Sequence, residues 1–345
     1  MRHHPIRMIV AACFGLLSCA AVEAADKVNV AVLNAAGDVG LFIAQERGYF
    51  RDEGLEVTLT HIDAAAKMIP LLGTGDLDVG GGATTAGLYN AADRKIDVRV
   101  VASRARTAPG YGYQALVIRK DLVDSGKYKG YGDLKGLKFA FASPGSTPIS
   151  SLNEALKKAD LKLSDMTLIN LSFAAQVAAL QNGAIDGTII IEPYLSQLVG
   201  QGTAVNVTPT EAYYPSAEVS LLLYGDKFIK ERPLVATRFM KAFLRGARDL
   251  KDAIDHGRWK SGPVADDVIR IFATAVNIPE PVIRGMTPQF ADADGDVNVE
   301  SLRMDLAFFK ESGDVTSQTI TADKIVDLSF ARAAAKELGP YKPAN

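Results

Sequence analysis

The sequence predicts an α/β protein built from two similar lobes. Short apolar runs with strand character alternate with segments whose apolar residues recur at helical spacing. In addition, the pattern of residues 69–80 recurs at one constant spacing within residues 176–194, so that Gly75 matches Gly183. The strands that flank the two copies repeat in the same order, which favours a repeated α/β unit over chance similarity.

Polar loops follow four predicted strands, which span residues 28–33, 77–80, 137–142 and 185–191. Open α/β sheets bind ligands beyond the carboxyl ends of their strands. If the two lobes face each other, all four loops meet across one cleft. The sequence therefore predicts a small-molecule site, whose candidate binding residues are Asn34, Asp38, Thr84, Thr85, Ser146, Thr147 and Glu192.

Local chemistry supports several of these residues. Asp38 is a natural N-cap for the helix that follows it, and Ser146 or Thr147 caps a helix with Pro148 in its first turn. The free backbone amides of such a helix start suit a carboxylate, sulfonate or nitrate oxygen. Arg106 lies in a loop rich in charge and aromatic rings, and we add it as a candidate cation for the ligand.

The chain is predicted to cross between the two lobes twice. We assign residues 1–24 to a signal peptide, 25–117 to the first lobe, 118–208 to the second lobe and 209–345 to the return into the first lobe. Extended residues 114–119 form the first crossing, and extended residues 206–208 and 219–224 form the second, which predicts a two-strand hinge. Four later helical segments are expected to extend the first lobe only, at residues 233–254, 264–275, 300–312 and 322–338.

The N-terminus predicts export. Arg2 and Arg7 precede a short apolar run, and Ala24 ends a small-residue cleavage site, as in a secretory signal. Both cysteines of the chain, Cys13 and Cys19, lie inside this segment. Cys19 also follows a sequence like a lipoprotein processing box, so a lipid-anchored form is the alternative. The net charge of −2 gives no basis for nucleic-acid binding.

Catalysis has little support in the sequence. After the signal, the histidines are His61 and His256, and neither has a catalytic or metal-binding spacing. No nucleophile elbow, Walker loop or dinucleotide fingerprint occurs. We therefore expect a binding protein without cofactor or metal.

Five ordered motifs resemble a known family. They occupy residues 48–57, 73–82, 133–147, 178–194 and 228–247. Together they look like the nitrate/sulfonate/taurine class of ABC-transporter substrate-binding proteins, with SsuA/THI5-like domains. The resemblance covers residues 28–338. It implies the type II periplasmic binding fold, a monomer that closes over its ligand by a hinge, and delivery to a membrane permease driven by an ATPase.

The ligand is less well defined by sequence. Helix starts and Arg106 favour an anion, whereas ionised Asp38 or Glu192 would oppose a small one. We therefore expect an organic anion with its acidic group at the helix after Ser146. Its body would pack against tyrosines, for which the candidates are Tyr111, Tyr113, Tyr213 and Tyr214.

The same resemblance leaves other functions open. The alternatives are a binding protein for thiamine-related pyrimidine precursors, a pyrimidine- or menaquinone-pathway enzyme, and a sensor-input protein that docks on a receptor. The predicted signal peptide argues against the cytoplasmic enzymes.

Overall fold

Two five-stranded sheets organise the computed structural model, which describes residues 24–343. A separate two-stranded ribbon is formed by the last two strands. In chain order the strands are β1 (Asp26–Val32), β2 (Leu55–His61), β3 (Val79–Gly82), β4 (Val98–Arg106), β5 (Gln114–Arg119), β6 (Lys138–Phe141), β7 (Thr167–Asn170), β8 (Gly187–Ile191), β9 (Ala204–Pro209), β10 (Glu218–Gly225), β11 (Ile254–Asp255) and β12 (Arg258–Trp259).

Both sheets have the same topology. The first has the order β2-β1-β3-β10-β4 and the second the order β7-β6-β8-β5-β9. In each, four strands run in the same direction, and the fourth strand in the order runs antiparallel to both of its neighbours. The predicted α/β class with two similar lobes is confirmed.

A repeated aspartate explains why the motif recurs. Asp78 Oδ2 accepts a hydrogen bond of 2.9 Å from the backbone N–H of Asn29 in β1. Asp186 Oδ2 accepts one of the same length from Lys138 in β6. Each carboxylate therefore ties the turn before one strand to the first strand of its own lobe. The preceding glycines adopt positive φ, 84° at Gly75 and 76° at Gly183, a conformation that favours glycine.

The crossings between lobes lie outside the predicted strands. Residues 114–119 were predicted to cross, but they form β5, which pairs along its length with β8 and β9 inside the second sheet. Likewise, β10 is internal to the first sheet. Such apolar runs need a partner strand on each side, so the chain changes sheet in residues 107–113 and 210–217 instead. The first change of sheet precedes the predicted boundary at residue 117.

The crossings run side by side. Thr107 donates its backbone N–H to Ala217 O at 2.9 Å, and Ala217 returns one to Thr107 Oγ1 at 2.8 Å. The connection between lobes is thus a pair of hydrogen-bonded irregular segments.

Helices cover both sheets. They are α1 (Val39–Glu46), α2 (Tyr49–Asp52), α3 (Ala65–Thr74), α4 (Ala86–Asp93), α5 (Lys120–Asp124), α6 (Thr147–Lys157), α7 (Phe173–Gln181), α8 (Tyr194–Gly200), α9 (Asp226–Glu231), α10 (Pro233–Asp252), α11 (Pro263–Val276), α12 (Glu280–Gly285), α13 (Val299–Glu311) and α14 (Ser329–Leu338).

The C-terminal helices do more than extend the first lobe. The predicted helical segments correspond to α10, α11, α13 and α14, although residues 322–325 form a separate 3-10 turn before α14. α10 packs on α1 and α14 in the first lobe, but α12 contacts α8 and α13 contacts α6 in the second. The expectation that this region supports only the first lobe is therefore wrong.

The predicted signal peptide and Cys19 fall in residues 1–23, outside the described residues. Between residues 24 and 343, no helix has the length and apolar character needed to cross a membrane.

The contact between α1 and α10 gives a stability test. A Cβ on Gly246 in α10 would lie 2.2 Å from the carbonyl oxygen of Gly40, so Gly246→Ala must push the helices apart. We expect a loss of about 1–3 kcal/mol in the free energy of unfolding, measured with urea. Gly200→Ala, also helical but with open space at its Cβ, is the control and should be neutral or slightly stabilising. Equal effects would contradict this packing.

Candidate functional site

The parallel strands of the two sheets end at one cavity between the lobes. Residues after β1 and β3 line it from the first lobe, and residues at the ends of β6 and β8 line it from the second. In this arrangement of the lobes the cavity has a volume of about 40 Å³. Its polar lining residues are Asp38, Arg104, Gln114, Ser143, Ser146 and Ser220.

A buried ion pair forms the first-lobe side of the cavity. The side chains of Arg104 and Asp38 are each 1% exposed, and Arg104 Nη1 binds Asp38 Oδ1. The other oxygen of Asp38 accepts the backbone N–H groups of Leu33 at 3.0 Å and Ala35 at 3.1 Å. The loop after β1 thus orients the carboxylate, and the carboxylate compensates a guanidinium that would be costly to bury alone.

Arg104 has one hydrogen-bond donor left over. Its Nε donates to Leu221 O at 3.0 Å, Nη1 also donates to Gly37 O at 3.0 Å, and Nη2 donates to Ser220 Oγ at 2.8 Å. With the Asp38 bond, these use four of the five N–H groups of a guanidinium. The second Nη2 proton has no protein partner in the part of the chain that the structure describes. It is available to an acceptor atom of a bound molecule.

Glycines make room for this arginine. A Cβ on Gly81 in β3 would lie 2.6 Å from Arg104 Nη1, and one on Gly37 would lie 2.1 Å from Ser220 Oγ. Any larger residue at either position would displace the guanidinium or its partner. The glycine run at residues 80–82 is therefore explained by a buried side chain and need not be a phosphate loop.

The start of α6 forms the opposite side. Ser146 precedes the helix, and its hydroxyl donates to Ser143 O at 2.7 Å. Ser143, Ser146 and Pro148 line the cavity. An 11-residue helix that begins here directs the positive end of its dipole towards the space.

Much of the remaining wall is apolar. Phe173, Ile191 and Val219 line it, together with Leu33 and Pro148. Phe173 is held by stacking on Tyr194, with ring centroids 5.3 Å apart. A bound molecule would therefore meet hydrocarbon surface next to the polar groups.

Gln114, the first residue of β5, lines the same space. Its side chain has no exposed surface, and neither its Oε1 nor its Nε2 has a hydrogen-bond partner within residues 24–343. Unpaired buried amides are rare in proteins.

Three predicted threonines lie outside the cavity lining, and two of them join the lobes. Thr84 and Thr147 face each other across the cleft with their hydroxyls 2.8 Å apart, and both donate to Asp305 Oδ2 at 2.7 Å. Asp305, on α13, also accepts from the Tyr214 hydroxyl at 2.9 Å. Thr85 caps α4 by accepting the N–H of Leu88. We name Thr84, Thr147, Tyr214 and Asp305 the seam cluster.

Burial dominates the electrostatics of the seam cluster. Asp305 has no exposed surface, and this desolvation raises the pKa of its carboxyl, although the hydrogen bonds from Thr147 and Thr84 act in the opposite direction. Backbone bonds add to the closure: Ala86 N–H donates to Gly145 O at 2.7 Å, and Ala36 N–H donates to Glu192 O at 2.9 Å. The two lobes are thus held together around the cavity.

Three other predicted site residues, Asn34, Arg106 and Glu192, lie away from the cavity lining. Asn34 lines a separate surface groove with His61. Arg106 stacks on Phe290, 4.6 Å from the ring centroid, and lies 3.5 Å from Asp292. Arg104, two residues earlier in β4, lines the cavity, where we had expected Arg106.

Glu192 braces the structure through its carboxylate. Its oxygens accept from the backbone and hydroxyl of Ser196, both at 2.9 Å, and from the backbone N–H of Thr287 at 3.3 Å. Burial raises the pKa of Glu192 to about 7. This residue therefore links the second lobe to the C-terminal region and is not among those that line the cavity.

The four candidate tyrosines also have other surroundings. Tyr111 packs edge-on against Phe290, Tyr213 contacts Tyr131, and Tyr214 belongs to the seam cluster. Tyr113 is fully buried in the first crossing. The aromatic side chain that lines the cavity is Phe173.

Sequence reasoning placed Asp38 and Ser146 at the cavity and missed Arg104, Gln114 and Asp305. The spacing along β4 could not separate Arg104 from Arg106, because a bulge in the pairing with β10 breaks the alternation of faces. The glycine run at residues 80–82 could have indicated Arg104, because the absence of side chains there leaves room for its guanidinium. Asp305 is distant in sequence from the three residues that donate to it, and no local sequence pattern identifies it.

Two α/β lobes that enclose a small-molecule cavity define the class of two-lobed solute-binding proteins. The chain matches the model of the NMT1/THI5 like family over residues 37–255. It belongs to this family.

Named relatives match most of the chain. The taurine-binding periplasmic protein of Escherichia coli (strain K12) is 25% identical over 303 residues, 84% of this chain and 89% of that protein. A putative aliphatic sulfonates-binding protein of Bacillus subtilis (strain 168) is 26% identical over 310 residues, 86% of this chain and 85% of its own.

Solved structures share the fold. The alkanesulfonate-binding protein SsuA of Xanthomonas axonopodis pv. citri, bound to MOPS, superimposes with a TM-score of 0.68 at 17% identity, over 88% of this chain and 98% of that one. An enzyme matches a smaller part of the sequence. The 4-amino-5-hydroxymethyl-2-methylpyrimidine phosphate synthase of Schizosaccharomyces pombe (strain 972 / ATCC 24843) is 28% identical over 157 residues, 44% of this chain and 40% of its own.

The seam cluster predicts a large stability effect. Asp305→Ala leaves the hydroxyls of Thr84, Thr147 and Tyr214 without their common acceptor. We expect the free energy of unfolding to fall by about 2–4 kcal/mol, measured with urea. Arg303→Ala is the matched control on the same helix, because Arg303 forms only exposed ion pairs and should cost at most about 1 kcal/mol. A loss for Asp305→Ala no larger than the control would contradict the role of the seam cluster.

A second buried glutamate predicts a pH dependence. Glu218, at the start of β10, accepts from Asn298 N–H and Ser103 Oγ, and burial raises its pKa to about 7 from 4.5. The raised pKa favours the protonated form in the fold, so its contribution to stability is present below pH 4.5 and is lost as the pH rises through 7.

Glu218→Gln removes this titration and can keep both contacts, with the amide oxygen accepting from Asn298 N–H and the amide NH₂ donating to Ser103 Oγ. Relative to the wild type, the variant should gain about 3 kcal/mol between pH 4.5 and 8 in urea unfolding. Exposed Glu311→Gln should change nothing across this range. Parallel pH profiles for wild type and Glu218→Gln would show that the Glu218 carboxyl is ionised in the fold.

Proposed function

We propose that this protein is the periplasmic solute-binding component of an ABC importer, which binds a small organic anion between its lobes and delivers it to a membrane permease. The observation that carries the proposal is the unsatisfied Nη2 proton of Arg104, held in an interlobe cavity opposite the start of α6. The names of the taurine- and sulfonate-binding relatives support the same class of ligand.

The acid group belongs between Arg104 and α6. Arg104 Nη2 supplies a hydrogen bond there, and so do the hydroxyls of Ser143 and Ser220, which accept from Ala66 N–H and Arg104 and keep their own protons. The dipole of α6 adds about 0.3–1 kcal/mol for a negative charge at its start. Asp38 already compensates the charge of Arg104, so the ligand does not have to neutralise a bare cation.

The apolar wall favours an organic body over an inorganic ion. Nitrate would fill the polar end and leave Phe173, Ile191 and Val219 in contact with water. Covering such surface contributes about 25 cal/mol per Å². A sulfonate or carboxylate with a short hydrocarbon part uses both ends of the site.

Binding without turnover fits the lining. Among the described residues that line the cavity, none is a histidine, cysteine or lysine, and no group of three or more potential metal ligands occurs within residues 24–343. These features support a binding protein over the pyrimidine- or menaquinone-pathway enzymes. The sensor-input alternative differs only in its partner, and a permease and ATPase encoded beside this chain would favour transport.

Export completes the proposal. Residues 1–24 would direct the chain to the periplasm and be removed, with lipid attachment at Cys19 as the alternative. The mature protein would act as a monomer and contact its permease through both lobes when closed.

A ligand screen with paired variants tests this function. We expect short sulfonates or carboxylates to raise the unfolding temperature of the wild type, since a ligand at 100 times its Kd stabilises by about 2.7 kcal/mol. The double variant Arg104→Gln/Asp38→Asn, which leaves no buried charge unpaired, should bind at least about 10-fold more weakly in calorimetry. Arg106→Gln, two residues away, should bind as the wild type does.

Two results would contradict the proposal. One is a wild type that no member of the screen stabilises. The other is undiminished binding by the Arg104→Gln/Asp38→Asn variant when its circular dichroism matches that of the wild type.

A further inference from the structure

We propose that Gln114 selects the ligand by hydrogen bonding to a second, uncharged polar group, so that the protein prefers a hydroxy- or carboxamide-substituted organic acid. This inference rests on the proposed function, because it assumes an acid group held at Arg104. It adds a second anchor on the other lobe and a prediction of what the ligand carries there.

The evidence is an amide that is buried and unpaired. Gln114 is 0% exposed and lines the cavity, and both of its polar side-chain atoms lack partners among residues 24–343. An amide left in this state is unfavourable, and a ligand group that accepts from Nε2 and donates to Oε1 would satisfy it. Hydroxyl and carboxamide groups can do both.

The backbone keeps this side chain in place. Gln114 pairs with Ile191 of β8, and the adjoining Tyr113 accepts the backbone N–H of Glu192 at 2.9 Å. This pairing fixes the direction of the Gln114 Cα–Cβ bond, so the backbone cannot turn the residue away from the cavity without breaking the start of β5. A leucine would pack beside Ile191 equally well. Packing alone therefore does not explain the amide at this position, and the amide needs a polar partner within the cavity.

An ammonium group is a poor partner at this site. Asp38 supplies the carboxylate of the cavity lining, but its Oδ1 binds Arg104 and its Oδ2 accepts two backbone N–H groups. A ligand ammonium would be buried with only the Gln114 carbonyl and the serine hydroxyls to compensate it, which is costly. We therefore expect hydroxyl-bearing acids to bind more tightly than amino-bearing acids of the same length.

The two anchors also lie on opposite sides of the first crossing. Arg104 is near the end of β4 in the first lobe, and Gln114 begins β5 in the second. A ligand that bonds to both residues joins the lobes across residues 107–113. Losing the Gln114 contact should therefore weaken closure as well as affinity.

Matched ligands and one variant test the assignment. The probes are triplets of equal chain length, such as 2-hydroxyethanesulfonate, ethanesulfonate and taurine, with their three-carbon and carboxylate counterparts. For the wild type, calorimetry should show the hydroxy acid binding at least about 10-fold more tightly than the unsubstituted acid. Gln114→Leu should abolish this preference while still binding the unsubstituted acid.

Stability without ligand provides a second readout. Because Gln114→Leu replaces an unpaired amide by an apolar side chain of similar size, its unfolding temperature should equal or exceed that of the wild type. Gln176→Leu is the matched control. That buried amide already bonds to Leu171 O and Thr188 Oγ1, both at 2.8 Å, so the variant should lose stability yet keep the wild-type preference among ligands.

The outcomes separate the two proposals. If acids bind at Arg104 but the wild type and Gln114→Leu discriminate equally, Gln114 has no role in selection and this inference is overturned. Tighter binding of taurine than of 2-hydroxyethanesulfonate would also overturn it. If no probe binds the wild type at all, the proposed function fails, and this inference fails with it.

Discussion

The compensation of one buried arginine shapes the first-lobe half of this site. Arg104 lies at a cavity between two sheets, where an unpaired guanidinium would be strongly unfavourable. Asp38 must therefore face it, and two backbone N–H groups fix that carboxylate. Gly37 and Gly81 follow from the same constraint, because side chains there would occupy the space of the guanidinium or of its serine partner.

The exchange of strands between lobes places the site next to the two crossings. Each sheet receives its antiparallel internal strand only after the chain has crossed, β5 in the second sheet and β10 in the first. The polar residues Arg104 and Gln114 lie on either side of one crossing, and Ser220 follows the other. The seam cluster closes the cleft beside the cavity. The proposed ligand contacts and the hydrogen bonds between the lobes therefore involve the same short segments.

The sequence predicted the architecture better than the site. Strand periodicity and the repeated turn at Gly75 and Gly183 were sufficient for two similar lobes, because Asp78 and Asp186 each accept the same backbone hydrogen bond from the first strand of their lobe. The same information placed Asp38 and Ser146 in loops that follow strands, and both residues line the cavity. From the sequence we assigned β5 to the crossing, because an apolar run has the same pattern whether it crosses between sheets or lies within one.

The sequence pattern could not predict where individual side chains point. Thr84 and Thr147 follow strands as predicted, yet a distant aspartate draws their hydroxyls into the seam cluster. Arg104 and Arg106 lie two residues apart in β4, and a bulge in the pairing with β10 gives their side chains different surroundings. The central claim, that an organic acid binds between Arg104 and the start of α6, is tested most directly by a crystal structure with the tightest-binding acid. An acid oxygen within about 3.2 Å of Arg104 Nη2 would agree with it; an acid group bound at Arg106, or outside the interlobe cavity, would contradict it.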